Sequence, residues 1–242
     1  MADDSTTATA FKNADALNTA ISLAGQDSDN AEVQVPAGLN FTIMPVTIEP
    51  LGDEFTNEPV TLTIDGTLTA SDDFRNYPLD DDQVKNIFTI MNWDGLHIQG
   101  AGVIEGQGFM WWVRDFMNLN PNNRPHMLWY SNVKNIEVSG LKLQNSPHFF
   151  VYLSEVLGLY VHDMEIYVDI WGQLSLHQLF SNDDIPATFS GPNGIKLPKV
   201  PTFPLNTDGI DFKGENVLIE RVKITNFDDS IVAKPAKLKR TG

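Results

Sequence analysis

The stretch LNTDGIDFKGENVLIERVKITNFDDSIVAKP, residues 205–235, sets Asp208 and the pair Asp228-Asp229 beside apolar, β-prone runs. Asp is a poor strand former, and a crowded carboxylate is costly unless it is paired or used. Laying Gly209-Ile210-Asp211-Phe212 over Ser230-Ile231-Val232-Ala233 gives an offset of 21 residues. At that offset Ile210 lies under Ile231, both pointing inward, while Asp208 falls under Asp229 and Thr207 under Asp228. If each unit is one coil of a stack, with neighbouring strands ~4.8 Å apart, the three carboxylates meet on one exposed, concave outer face. A single Asp there would be an ordinary turn residue. Three superposed by a repeat repel one another, which stability alone does not call for, so they read as a functional cluster.

The same unit recurs upstream. DGLHIQGAGVI (94–104), KNIEVSGLKL (134–143), LGLYVHDMEI (157–166) and ENVLIERVKI (215–224) each read as turn, alternating strand, short polar corner, strand. Ile98, Val138, Val161 and Ile219 are its equivalent positions, separated by 40, 23 and 58 residues. Setting aside the polar segment 110–126 and a long stretch at 167–204 leaves a period of about 20–25 residues. The expected fold is all-β, a right-handed single-stranded parallel β-helix. A β-sandwich with irregular loops is the competing architecture. Residues 8–25 carry Phe11, Ala14, Leu17, Ile21 and Leu23 at roughly helical spacing, followed by Gly25 as C-cap. This predicts a short N-terminal helix capping the first coil. Residues 1–242 then form a single domain, with 167–204 as a loop insertion. Laying KLQNSPHFF (142–150) over KITNFDDSI (223–231) adds His148 to the acidic column.

Composition narrows the function. The chain has 242 residues, 42% hydrophobic and 10% aromatic, enough for a core. Lys+Arg number 16 and Asp+Glu 32, a formal charge of −16. Nucleic acid and an anionic membrane are therefore poor partners, and an anionic polysaccharide would need a local basic patch. With no cysteine there is no disulfide, thiolate metal site or Cys nucleophile. The opening MADDSTTATAFKNADALN has neither a basic n-region nor an apolar h-region, so no signal peptide is expected in this chain, and no run is long enough to span a bilayer.

Asn206-Thr207-Asp208-Gly209-Ile210-Asp211 resembles the NTDGxD motif of glycoside hydrolase family 28, the polygalacturonases and their relatives. Phe227-Asp228-Asp229-Ser230 resembles the same family's DD motif. VPAG (35–38), LTIDGTLTASDD (62–73), GVIEGQGFMWW (102–112) and Asn145-Ser146-Pro147 are similar to its other segments. The resemblance implies inverting hydrolysis of a pectic polysaccharide, polygalacturonate or rhamnogalacturonan, by a secreted enzyme without metal or other cofactor. By position, Asp228 would be the general acid, and Asp208 and Asp229 would hold and deprotonate the attacking water. Inverting glycosidases place acid and base about 6.5–9.5 Å apart to admit that water. The family's His-bearing and Arg-x-Lys segments would follow the DD motif. All five histidines precede Asp208, so the chain is expected to match the N-terminal two thirds of such a hydrolase, with activity in question.

Asn206, His148, Arg124, His126, Lys213 and Lys234 are the expected substrate-binding residues. Arg124-Pro125-His126 resembles a segment of exo-acting members and could bring a cation near a uronate, although an Arg ion pair tethering a loop is as good a reading. Lys213 and Lys234 stack at the same offset of 21 and could form a basic patch. Trp111-Trp112 would line the cleft or, for at least one ring, pack in the core. Asp72-Asp73 and Asp80-Asp81-Asp82 read as solvated loops. The insertion, with Trp171, His177 and Phe180, could wall off one cleft end and favour exo action. Two further functions compete. One is a Ca²⁺-dependent pectate lyase, whose clustered Asp residues hold a hard cation. The other is a non-catalytic pectin-binding remnant.

Overall fold

The computed structural model describes residues 4–27, 31–116, 118–120, 123–169, 189–190, 196–197 and 204–235. Short parallel strands stack in three ladders around one apolar core. The first ladder runs Ala31–Val35, Val60–Ile64, Leu96–Gln99, Val133–Ser139, then the middle of Val151–Tyr167 and of Ile210–Thr225. The second holds Asn40–Ile43, Thr67–Ala70, Val103–Glu105, Lys142–Gln144 and the ends of the same two long strands. Val46–Ile48, Phe88–Met91, Leu128–Ser131, the starts of the long strands and Ile231–Ala233 make the third. The architecture is the expected right-handed parallel β-helix. Its register is the one the repeats required: Ile98 pairs with Val138, Val138 with Val161, and Val161 with Ile219.

Alternation of apolar and polar residues sends every second side chain inward, as in the buried–intermediate alternation of Val60–Ile64. The chain turns between the first two ladders at Gly100, Gly140, Asp163 and Arg221, with φ of +130°, +74°, +53° and +53°. Only residues tolerant of the left-handed region suit this corner. Arg221, the exception, is held there by two bonds to Asp163, Nε to Oδ1 at 2.7 Å and Nη2 to Oδ2 at 2.9 Å.

Helix α1, Asp4–Ala24, covers the first coils and starts earlier than the apolar pattern predicts. Its buried face is Thr7, Ala10, Ala14, Leu17 and Ile21, whereas Phe11 and Leu23 are 37% and 61% exposed. The face begins with a polar residue because the Thr7 hydroxyl donates to Asp73 Oδ2 at 2.6 Å. Asp73 is therefore not solvated: it is buried and also accepts from Asn76 Nδ2 at 2.8 Å. Asp72 and residues 80–82 are exposed as expected. Helix α2, Gly108–Phe116, buries both Trp111 and Trp112. Trp112 Nε1 donates to Ser146 O at 3.2 Å, and Trp111 meets Phe74 and Tyr77 edge-on. Neither ring lines a cleft. Of the predicted insertion, the structure describes an antiparallel pair, Phe189–Ser190 with Lys196–Leu197. Trp171, His177 and Phe180 lie outside the described residues.

Candidate active site

The two acidic motifs occupy successive turns leading into the third ladder. Gly209 N donates to Asp229 O at 2.9 Å and Ile210 N to Ser230 O at 3.0 Å, so Asp208 is registered with Asp229 and Thr207 with Asp228. Glycine is required at 209, where an added Cβ would sit 2.3 Å from Ser230 O. Thr207 is fully buried and ties the turns together. Its hydroxyl donates to Pro204 O at 2.8 Å and accepts from Phe227 N at 3.1 Å. Asn226 Nδ2 adds bonds to Thr207 O at 3.0 Å and Asp229 O at 2.9 Å.

One carboxylate oxygen from each of Asp208, Asp228 and Asp229 lies within 4.8 Å of the others. Asp228 and Asp229 are exposed, but Asp208 is only 6% exposed, so the cluster is not uniformly on the surface. Burial, reinforced by the charges of Asp211, Asp228 and Asp229, raises the Asp208 pKa to about 6. Its Oδ1 has no hydrogen-bond partner among the described residues. Asp228 accepts from Asn206 N at 3.1 Å, Asn206 Nδ2 at 3.4 Å and Asp229 N at 3.0 Å. Three such carboxylates can polarise a water or relay a proton. They are also the ligand type a hard divalent cation takes.

His148 does not stand in the column of Asp208 and Asp229. Lys142 and Lys223 pair with Glu165 from either side, which matches the expected alignment. By the third ladder, however, Val151 and Ile231 both pair with Ile210. The DD corner is one residue shorter than the NSPHF corner, and Phe149 takes the register of the two aspartates. Phe150 N accordingly donates to Asp208 O at 2.8 Å.

His148 instead packs against His126, ring centroids 4.5 Å apart, with Phe149 and Tyr152 beside them. Burial first, then neighbouring positive charge, depresses both imidazoles, His126 to about 4 and His148 to about 2, so both are neutral near pH 5. Lys213 and Lys234 are stacked by backbone register, but they form no joint basic patch. Lys213 turns to Glu155 at 3.8 Å, and Lys234 reaches Asp211 Oδ2 at 2.7 Å. Lys234 also lies over the Phe149 and Tyr152 rings. Arg124 is 3% exposed and bound internally, so it is a clamp beneath the site and not a surface contact for a uronate. Asp211, the last residue of the NTDGxD-like motif, has no role assigned from the sequence. It lies on the outward side of its strand yet is only 1% exposed, covered by Lys234. Its alternation with inward Ile210 and Phe212 was the available signal.

Comparison with known proteins gives the family. The profile of glycosyl hydrolases family 28 matches residues 25–239, nearly the whole chain and both acidic motifs. The chain belongs to glycosyl hydrolase family 28. It is 32% identical over 153 residues to a probable endo-xylogalacturonan hydrolase A of Aspergillus oryzae, covering 62% of this chain and 31% of the relative. It is 30% identical over 198 residues to a probable polygalacturonase of Arabidopsis thaliana, covering 81% and 34%. The family 28 chain thus spans about a third of the length of these relatives. The crystal structure of endo-xylogalacturonan hydrolase from Aspergillus tubingensis shares the fold, with a TM-score of 0.65 and 20% identity over 92% of this chain and 50% of that one. Among the described residues no helix is long and apolar enough to cross a membrane.

Proposed function

We propose that this chain carries the acid–base centre of an extracellular, inverting hydrolase of galacturonate-backbone pectin. The observation that carries the proposal is the meeting of Asp208, Asp228 and Asp229 within 4.8 Å, with one member buried. The buried Asp208 keeps a proton in the cluster at mildly acidic pH, about 6 and below. It is too enclosed to reach a glycosidic oxygen. Asp228 is exposed and oriented by three N–H donors, which favour its ionised form; it is the member able to reach a leaving group, and the proton it delivers is the one the cluster retains. Asp208 and Asp229, adjacent across one coil step, would hold the water. The proton then belongs to the coupled cluster more than to one residue. His126, His148, Phe149, Tyr152 and Lys234 form an aromatic and cationic wall beside it, suited to a sugar ring carrying a carboxylate.

A second reading comes from the spacing. Oxygens within 4.8 Å are closer than the ~6.5–9.5 Å usual for inverting pairs, and nearer the ~5 Å of retaining ones. Three carboxylates in place of two favour inversion, because two can share the water. Proton NMR of the first-formed anomer separates the readings. The function is tested by reducing-end assay on polygalacturonate and xylogalacturonan, with and without EDTA. Chelator-insensitive reducing ends are expected. Unsaturated, ultraviolet-absorbing products lost with EDTA would establish a lyase instead, and sugar binding without products would establish a binding remnant.

A further inference from the structure

We infer that Arg124 is a positioning residue for Asp228, acting through Asn206, by its side chain and by the peptide unit that joins it to Leu205; the inference rests on the hydrolase reading above only for its kinetic consequence. Arg124 comes from the segment between α2 and the strand Leu128–Ser131, remote in sequence from both acidic motifs. Its guanidinium is 3% exposed and serves four acceptors. Nη1 donates to Pro147 O at 3.0 Å and Leu205 O at 2.8 Å; Nη2 donates to Asn206 Oδ1 at 3.0 Å and lies 3.5 Å from Asp115 Oδ2.

The consequence follows from donor and acceptor chemistry. A guanidinium can only donate, so the Asn206 amide must turn its oxygen to Arg124. That orientation commits Nδ2 to the other side, where Asp228 Oδ2 accepts it at 3.4 Å. The bond from Arg124 to the Leu205 carbonyl fixes the same peptide unit whose N–H, on Asn206, donates to Asp228 Oδ2 at 3.1 Å. Asn206 is held at φ +56°, a left-handed conformation that needs support from its surroundings. One buried cation therefore sets both donors that orient the carboxyl proposed to protonate the leaving group. Arg124 itself touches neither Asp228 nor any exposed surface of the cluster.

The test is backbone amide exchange in the 242-residue chain carrying Arg124→Gln. Exchange at Asn206 N–H should rise about tenfold or more, while Phe227 N–H, held by Thr207 Oγ1 in the same site, stays as in the unsubstituted chain. Faster exchange at both would mean that Arg124 merely supports the fold, and no change at Asn206 would also overturn the relay. If Arg124→Gln does not fold, Arg124→Lys is read identically, because an ammonium keeps the charge but lacks the planar fork. In turnover of polygalacturonate, Arg124→Gln should lower kcat about 10²-fold with KM within about twofold. Adding it to Asn206→Ala should lower kcat by clearly less than it does alone, because only the route through the Leu205 carbonyl and the Asn206 N–H is then left to lose; a fully additive loss would refute action through Asn206. A parent chain releasing no reducing ends would defeat the hydrolase reading, and the exchange measurement would still decide the relay.

Discussion

Replacing Asp208 by Asn should make the protein more stable at neutral pH while removing a group from its site. A carboxyl whose folded pKa is raised from 3.8 to about 6 keeps its proton longer in the folded state than in the unfolded chain. Below pH 3.8 both states are protonated and the group contributes no pH-dependent penalty. As pH rises through about 6 the folded state must ionise it against burial and against Asp211, Asp228 and Asp229, and stability falls. Two pKa units correspond to about 3 kcal/mol. Asp228 and Asp229 are exposed, so water screens their share, and about 1–3 kcal/mol is the expected range. Asn is nearly isosteric and cannot ionise. Urea unfolding of both proteins at pH 3.5, 5 and 8 tests this. The stability difference between Asn and Asp should grow by that amount from the lowest to the highest pH, a midpoint shift of about 0.5–1 M. Parallel stability–pH curves would show that Asp208 is not a destabilised carboxyl, and the proton-holding role given to it would fall with them.

Asp228→Asn should reduce turnover about 10²–10⁴-fold and substrate affinity much less, because proton donation acts in the transition state; reducing-end kinetics on polygalacturonate check the split. Ile98→Ala, fully inside the stack between Leu62 and Val138, should cost about 2–5 kcal/mol, read by urea unfolding. Thr7→Val should cost about 1–2 kcal/mol by the same measurement, since buried Asp73 loses the 2.6 Å donor that ties α1 to the first coils. With a net charge of −16, hydrolysis of polygalacturonate should speed up as salt rises toward ~0.15 M, where the Debye length is about 8 Å; kcat/KM measured across that range should show it, while a neutral oligomer analogue should be unaffected.

The stacking was legible because it is periodic and apolar. Ile98, Val138, Val161 and Ile219 stand in one column because each heads the same strand–corner–strand unit. What failed to show in the sequence was whatever depended on polar contacts between distant segments. The capping helix looked shorter because Thr7, an unremarkable residue by pattern, fills a core-facing place through its bond to Asp73. Arg124 and Lys234 were assigned to substrate by charge, yet each is held by a partner invisible to local pattern, Asn206 and Asp211. The burial of Asp211 is not legible in its motif because alternation predicts an outward side chain, and an outward side chain is ordinarily a solvated one.

The misplaced His148 shows most directly what the site is made of. An alignment by apolar residues is right along each strand, and slips where two corners differ in length. Lys142 to Val151 spans the longer path and Lys223 to Ile231 the shorter, so the coil bearing Asp228 and Asp229 cuts its corner by one residue. That tighter turn lets Asp229 N reach Asp228 Oδ1 at 3.0 Å and Asn226 Nδ2 reach both Thr207 O and Asp229 O. The backbone donors and the Asn226 amide thus hold the acidic pair in place, with no paired cation among the described residues. The cation that does lie beneath, Arg124, is spent on carbonyls and on Asn206. A salt bridge onto Asp228 would have removed one of the charges that reinforce the effect of burial on Asp208. Orienting the acid by neutral donors, with the guanidinium one residue removed, keeps the three negative groups close enough to retain a proton among them. The geometry that makes the cluster costly for folding is the same geometry that the proposed acid–base chemistry requires.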